Sequence, residues 1–219
     1  MPALVRQPEA LPPAGSSVMT LPDHGPAPTA IGTTVGGGLL ILAGLFDATW
    51  VVMINGSGFG QLLFGSGASS LGFTLLRWEL TFGALVLGIV ALLAARRHFV
   101  VVAVVALAMN LIDIAVFILQ DIQLGLPVQV LQQWWTLLHT LAFCLLLILA
   151  LSARATRVLK IVTMAVFVAL LVRFMFSIHL GVNGDATTLA AVWASTAEAL
   201  LGIAGWLVLI ASVNTRAVL

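Results

Sequence analysis

Six charged side chains, Asp47, Arg77, Glu79, Asp113, Arg173 and Glu198, fall inside long apolar stretches of this 219-residue sequence, joined there by Asn110 and His139. These residue types do chemistry when water is kept from them. A carboxylate or an imidazole can carry a proton, and a guanidinium can hold an anion. A charge near the middle of a membrane-crossing helix costs about 2.5–3.5 kcal/mol on insertion scales, so it normally faces a bundle interior and marks either a pathway or a packing contact. Four acids stand against two arginines in this set. That surplus is what a purely structural set of ion pairs explains least, because an uncompensated buried carboxylate tends to take up a proton or recruit a cation. The candidate ligand- or proton-binding residues are therefore Asp47, Glu79, Asn110, Asp113, His139, Arg173 and Glu198. Arg77 lies close enough to one end of its stretch to snorkel to the interface.

Other chemistries find less support. His139 is flanked by Trp134, Trp135, Thr136 and Thr140, and the one other histidine in an apolar stretch, His179, falls at the outer end of its segment. A bis-histidine haem is therefore not expected, and His139 reads either as a hydrogen-bonded core residue or as a proton relay to Glu198 or Glu79. The single cysteine, Cys144, can form neither an internal disulfide nor a cysteine metal cage. No HExxH, Walker A or dinucleotide-binding glycine motif is present. No metal or cofactor is expected, and an enzyme is the less favoured class. A lipid-modifying enzyme using Glu198, Glu79 and His139 as acid and base lacks a nucleophile to complete it.

The elements that must position these residues follow from composition. Hydrophobic residues make up 61% of the chain and charged ones 8%, against roughly half and a quarter in soluble domains, which defines an integral membrane protein. A net charge of +1 leaves no basic field for nucleic acid. Seven of the eight prolines lie in residues 1–28, so residues 1–30 read as a disordered tail, and the prolines interrupt any stretch that could serve as a signal peptide.

Residues 31–219 form the second unit, in which six apolar runs are each long enough to span a hydrocarbon core of about 30 Å as a helix. They run from Gly32 to Ile54, Leu71 to Ala94, Phe99 to Leu119, Val128 to Leu151, Thr156 to Ile178 and Leu189 to Val213. The expected fold is an all-α, six-helix transmembrane bundle. Between the first two runs, Phe59, Leu62, Leu63 and Phe64 could dip back into the interface.

Seven basic residues lie outside the polar set: Arg6, Arg96, Arg97, Arg154, Arg157, Lys160 and Arg216. With six crossings all seven fall on one side, and the positive-inside rule then places both termini in the cytoplasm, in the plasma membrane of a bacterium. Counting about 1.5 Å of rise per residue from the outer end, Arg173 lies about 7 Å deep, Asp113 and Arg77 about 9 Å, Asp47 about 10 Å, Glu79 about 12 Å, Glu198 about 14 Å and His139 about 16 Å. A shared depth suggests one polar layer. Helical phase adds to this: Asn110 and Asp113 share a stripe, as do Thr136, His139 and Phe143, as do Glu198, Gly202 and Gly205, and Asp47 aligns with Gly37 and Gly44.

The function expected is a polar, acidic cavity in the outer half of the bundle that binds or transports a small solute or protons. The main alternative is a non-catalytic membrane subunit or assembly factor docked to a membrane-protein partner, its buried charges serving only to pack helices.

Overall fold

The computed structural model describes residues 27–55, 71–123, 125, 134–152, 157–181 and 186–214. These form five helices: α1 (Ala30–Asn55), α2 (Leu71–Gln123), α3 (Trp134–Leu151), α4 (Arg157–Gly181) and α5 (Ala186–Ala211). Three stretches are long and apolar enough to cross a membrane, Ala30–Thr49, Phe82–Val116 and Arg157–Met175; Thr136–Leu151 and Thr196–Ala211 are shorter apolar helices. Among the described residues the only extended pairing is an isolated antiparallel bridge between Pro28 and Val213.

The helix count differs from the six that the apolar runs suggest. The second and third runs join directly in α2, 53 residues in which two helices meet at a kink at His98, where the backbone leaves helical geometry (φ −137°, ψ 57°). Arg96-Arg97-His98 contains neither proline nor glycine, and the two helices meet there at one distorted residue instead of across a loop. His98 divides α2 into two arms, 71–97 and 99–123. Residues 27–29 are held in the fold, and the rest of the stretch read as a tail, residues 1–26, lies outside the described residues. The candidate re-entrant residues Phe59, Leu62, Leu63 and Phe64 lie outside the described residues.

Neighbouring elements follow one another around the bundle: α2 packs on α1, α1 on α5, α5 on α4, α4 on α3, and α3 back on α2. In an apolar solvent helices associate through close backbone approach rather than through burial of oily surface, which calls for small residues at the contact. Both faces of α1 meet that demand. Toward α2, a Cβ at Gly44 would run into the backbone of Leu85, and one at Gly88 would come within 2.5 Å of the Ile41 nitrogen. Toward α5, a Cβ at Gly36 would sit 2.8 Å from the Gly205 carbonyl oxygen, and one at Gly205 2.9 Å from that of Gly36.

A clasp joins the two ends of the described chain. Thr29 N–H donates to the Ser212 carbonyl (3.0 Å) and Asn214 N–H to that of Ala27 (3.2 Å). The Thr29 hydroxyl accepts from Gly32 N–H (3.1 Å), capping α1. The Lys160 ammonium reaches from α4 to donate to the carbonyls of Ala211 and Val213, the latter at 2.9 Å, and so closes the C-terminal end of α5. Above the clasp lies the core, with Leu40, Ala91, Ala95, Phe99, Leu146, Leu149, Phe167 and Leu209 all buried. Its upper boundary is an aromatic triad from three helices. The Phe143 ring stands edge-on to Phe167 (5.8 Å between centroids) and to Trp206 (5.7 Å), and Phe167 lies 6.0 Å from Trp206.

Candidate functional site

The polar residues begin on the far side of the aromatic triad from the chain ends. Counting helical rise of about 1.5 Å per residue from the triad, Asn110 and Thr140 lie about 5 Å beyond it, His139 about 6 Å, Asp113 and Arg173 about 9 Å, Thr136 about 10 Å, and Asp47 and Glu198 about 12 Å. Two groups can be told apart by the helices that carry them.

The first group sits on the α1–α5 seam. These helices run antiparallel, and their contacts keep a constant register: Gly32 meets Ser212, Gly36 meets Leu209, Leu40 meets Gly205, and Ala43 lies opposite Gly202. One further turn along both helices brings Asp47 opposite Glu198. Both side chains are half-buried. The stripe read from the sequence for α1 therefore splits into two. Gly37 and Gly44 pack against α2, where Gly37 faces the Leu92 backbone, whereas Asp47 shares the adjoining face with Gly36, Leu40 and Ala43. On α5, Glu198, Gly202 and Gly205 do occupy one face, the face turned to α1.

The second group joins the 99–123 arm of α2 to α3 and α4. Asn110 Nδ2 donates to the Thr140 hydroxyl (3.1 Å), which in turn donates to the Thr136 carbonyl (2.9 Å). One turn beyond Asn110 on α2 is Asp113, and one turn before Thr140 on α3 is Thr136, so antiparallel packing sets these two at one level. Arg173 reaches the same level on α4, by the register that Phe143 and Phe167 establish. Asp113 Oδ1 and Arg173 Nε are shielded by protein, and Asp113, His139 and Arg173 each take part in a hydrogen-bonding, ionic, ring or electrostatic contact.

Asp47, Asn110, Asp113, His139, Arg173 and Glu198 thus fall into these two groups. The side chain of Glu79 lies outside the described residues, as do those of Arg77, Trp134 and Trp135. Thr140, read from the sequence only as a neighbour of His139, is the hydroxyl that meets the α2 polar stripe, and Thr136 lies one turn before it on α3. Their four-residue spacing, matched against Asn110 and Asp113 on an antiparallel partner, is the signal that could have singled them out. Among the described residues no group of three or more His, Cys, Asp or Glu side chains is placed to hold a metal ion.

Comparison of the chain with protein-family models, with curated proteins and with solved structures yields no match.

Proposed function

We propose that this is a multi-pass membrane protein that takes up protons, and through them moves a small solute, at the acidic face between α1 and α5. The observation that carries this reading is the register that sets Asp47 opposite Glu198 across a seam whose preceding turns are built of glycine, alanine and leucine. Two carboxylates facing each other in apolar surroundings repel unless a proton or a cation is shared between them. A seam meant only for packing gains nothing from that repulsion, since the glycines already bring the backbones together.

In this reading the two arms of α2 cross the membrane separately, giving six crossings with both termini cytoplasmic in a bacterial plasma membrane. It is supported by the clustering of basic residues. Lys160 lies at the clasp with both described chain ends, and Arg96 and Arg97 are exposed at the same end, by the register that sets Gly37 beside Leu92. Single cysteines at Ser57, Gln123 and Asn183 are expected to react with an impermeant thiol reagent on intact cells, and one at Ala155 is not. The reverse pattern overturns the orientation.

The functional claim is tested in proteoliposomes with an internal pH indicator. Under an imposed proton gradient the wild type is expected to pass protons. Glu198→Gln, which keeps size and hydrogen bonding but cannot titrate, is expected to abolish the flux while expression and melting stay near wild type. Flux that persists unchanged in both Glu198→Gln and Asp47→Asn rejects the reading and leaves the carboxylates as packing residues.

A further inference from the structure

The α2–α3 interface contains a hydroxyl whose chemistry is incomplete. Thr136 is 2% exposed, and its Oγ1 has no hydrogen-bond partner. Hydroxyls elsewhere in the bundle satisfy themselves on the carbonyl four residues earlier: Thr33 on Thr29 (3.0 Å), Thr140 on Thr136 (2.9 Å) and Thr163 on Leu159 (2.8 Å). Thr136, the third residue of α3 as described, makes no such bond. A buried hydroxyl without a partner is costly and uncommon, and in a polar setting it usually marks a bound molecule.

The direction in which Thr136 faces is set by its neighbour one turn on. Thr140 meets Asn110 of α2, so Thr136, four residues earlier on the same stripe, faces α2 one turn farther from the aromatic triad. That is the level of Asp113, three residues beyond Asn110, whose Oδ1 is shielded by protein. The Asn110 amide spends Nδ2 on Thr140, which leaves its carbonyl oxygen as a further acceptor one turn nearer the triad.

We infer that a water molecule is bound between α2 and α3, donating to the Asp113 carboxylate and hydrogen-bonded to the Thr136 hydroxyl, with the Asn110 side chain beside it. Water fits this site better than an ion. The groups supply both donor and acceptor capacity at about the two to four partners that a buried water uses. The site lies on helices other than those of the Asp47–Glu198 pair, and the inference does not depend on that pair. Its consequence is that the polar layer is hydrated from within. A water hydrogen-bonded to Asp113 is both a donor and an acceptor of protons, the requirement for exchange between a buried acid and the rest of the layer.

The most direct probe is water itself. In detergent-solubilised full-length protein carrying labelled threonine methyl groups, the Thr136 methyl is expected to show a nuclear Overhauser cross-peak at the water resonance. The methyl of Thr163, 0% exposed with its hydroxyl bonded internally, is expected to show none. Thr136→Val then reads the energetics. Removing an orphan hydroxyl should raise the melting temperature, whereas removing one that holds a water should lower it, by about 2–4 °C for a chain of this size. A missing water cross-peak on the wild type, a cross-peak to a solute in its place, or a Thr136→Val protein that melts at or above wild type overturns the inference. Loss of proton flux in Glu198→Gln bears on the other group alone.

Discussion

The two ends of this bundle solve opposite problems with the same helices. Toward the chain ends, α1, α4 and α5 are tied by backbone pairing, by Lys160 on the last carbonyls of α5 and by glycine contacts over a core of alanine, leucine and phenylalanine. Beyond the triad of Phe143, Phe167 and Trp206, the α1–α5 seam that carried glycine and leucine carries Asp47 and Glu198, and α2 and α4 turn from alanine, leucine and phenylalanine to Asn110, Asp113 and Arg173. The change occurs within about two helical turns. The difference shows a division of labour along the bundle axis: the clasped half fixes the register, and that register sets polar groups on different helices at one level.

If that division is right, substitutions should sort by half. The largest effects are expected for the ionic residues of the polar layer. Arg173→Leu and Asp113→Leu should each destabilise the bundle by about 3–5 kcal/mol if the two side chains answer each other across α3, and the double replacement should recover much of the loss. The measurement is a double-mutant cycle by thermal unfolding in detergent. Strictly additive losses would mean that the two residues do not meet and that each is held by other partners.

Next come the seams. Gly44→Ala and Gly88→Ala push a methyl group into the backbone of the facing helix and should cost about 1–3 kcal/mol each, through helix displacement. Gly38→Ala is the internal control. Nothing lies within 4 Å of a Cβ at that position, so it should be neutral or gain up to about 1 kcal/mol of helix propensity. Equal losses at Gly38 and Gly44 would show that close approach is not what the glycines provide. The smallest effect is expected at the clasp, where Lys160→Met deletes donors to two carbonyls and should cost about 0.5–1.5 kcal/mol, read as a small drop in melting temperature.

How much of this was legible in the sequence differs by level. Hydropathy alone predicts an all-helical membrane protein, because uniformly apolar runs of such length have no other stable form in lipid. The form of the junction was not legible: Arg96-Arg97-His98 reads as a loop by polarity, yet it contains no proline or glycine and the two helices meet there directly, at a kink at His98. Periodicity placed Glu198 with Gly202 and Gly205 on one face because their spacing drifts little from a single stripe. It failed for Asp47, which lies ten residues beyond Gly37, far enough round the helix to belong to the face that meets α5 and not the one that meets α2. The partnership of Asn110 with Thr140 was hidden for a different reason. It depends on the register between two helices, which long-range packing sets and which no local spacing encodes.

The central claim is that Asp47 and Glu198 share a proton, and infrared spectroscopy of the purified protein at neutral pH reads this directly. A protonated carboxyl group shows a carbonyl stretch that an ionised one lacks. The wild type is expected to show that band, and Asp47→Asn/Glu198→Gln to lose it while the helical amide bands stay unchanged. Identical spectra in the carboxyl region for the wild type and the double variant would contradict the account: both acids would then be ionised, and their meeting across the glycine seam would have some purpose other than holding a proton.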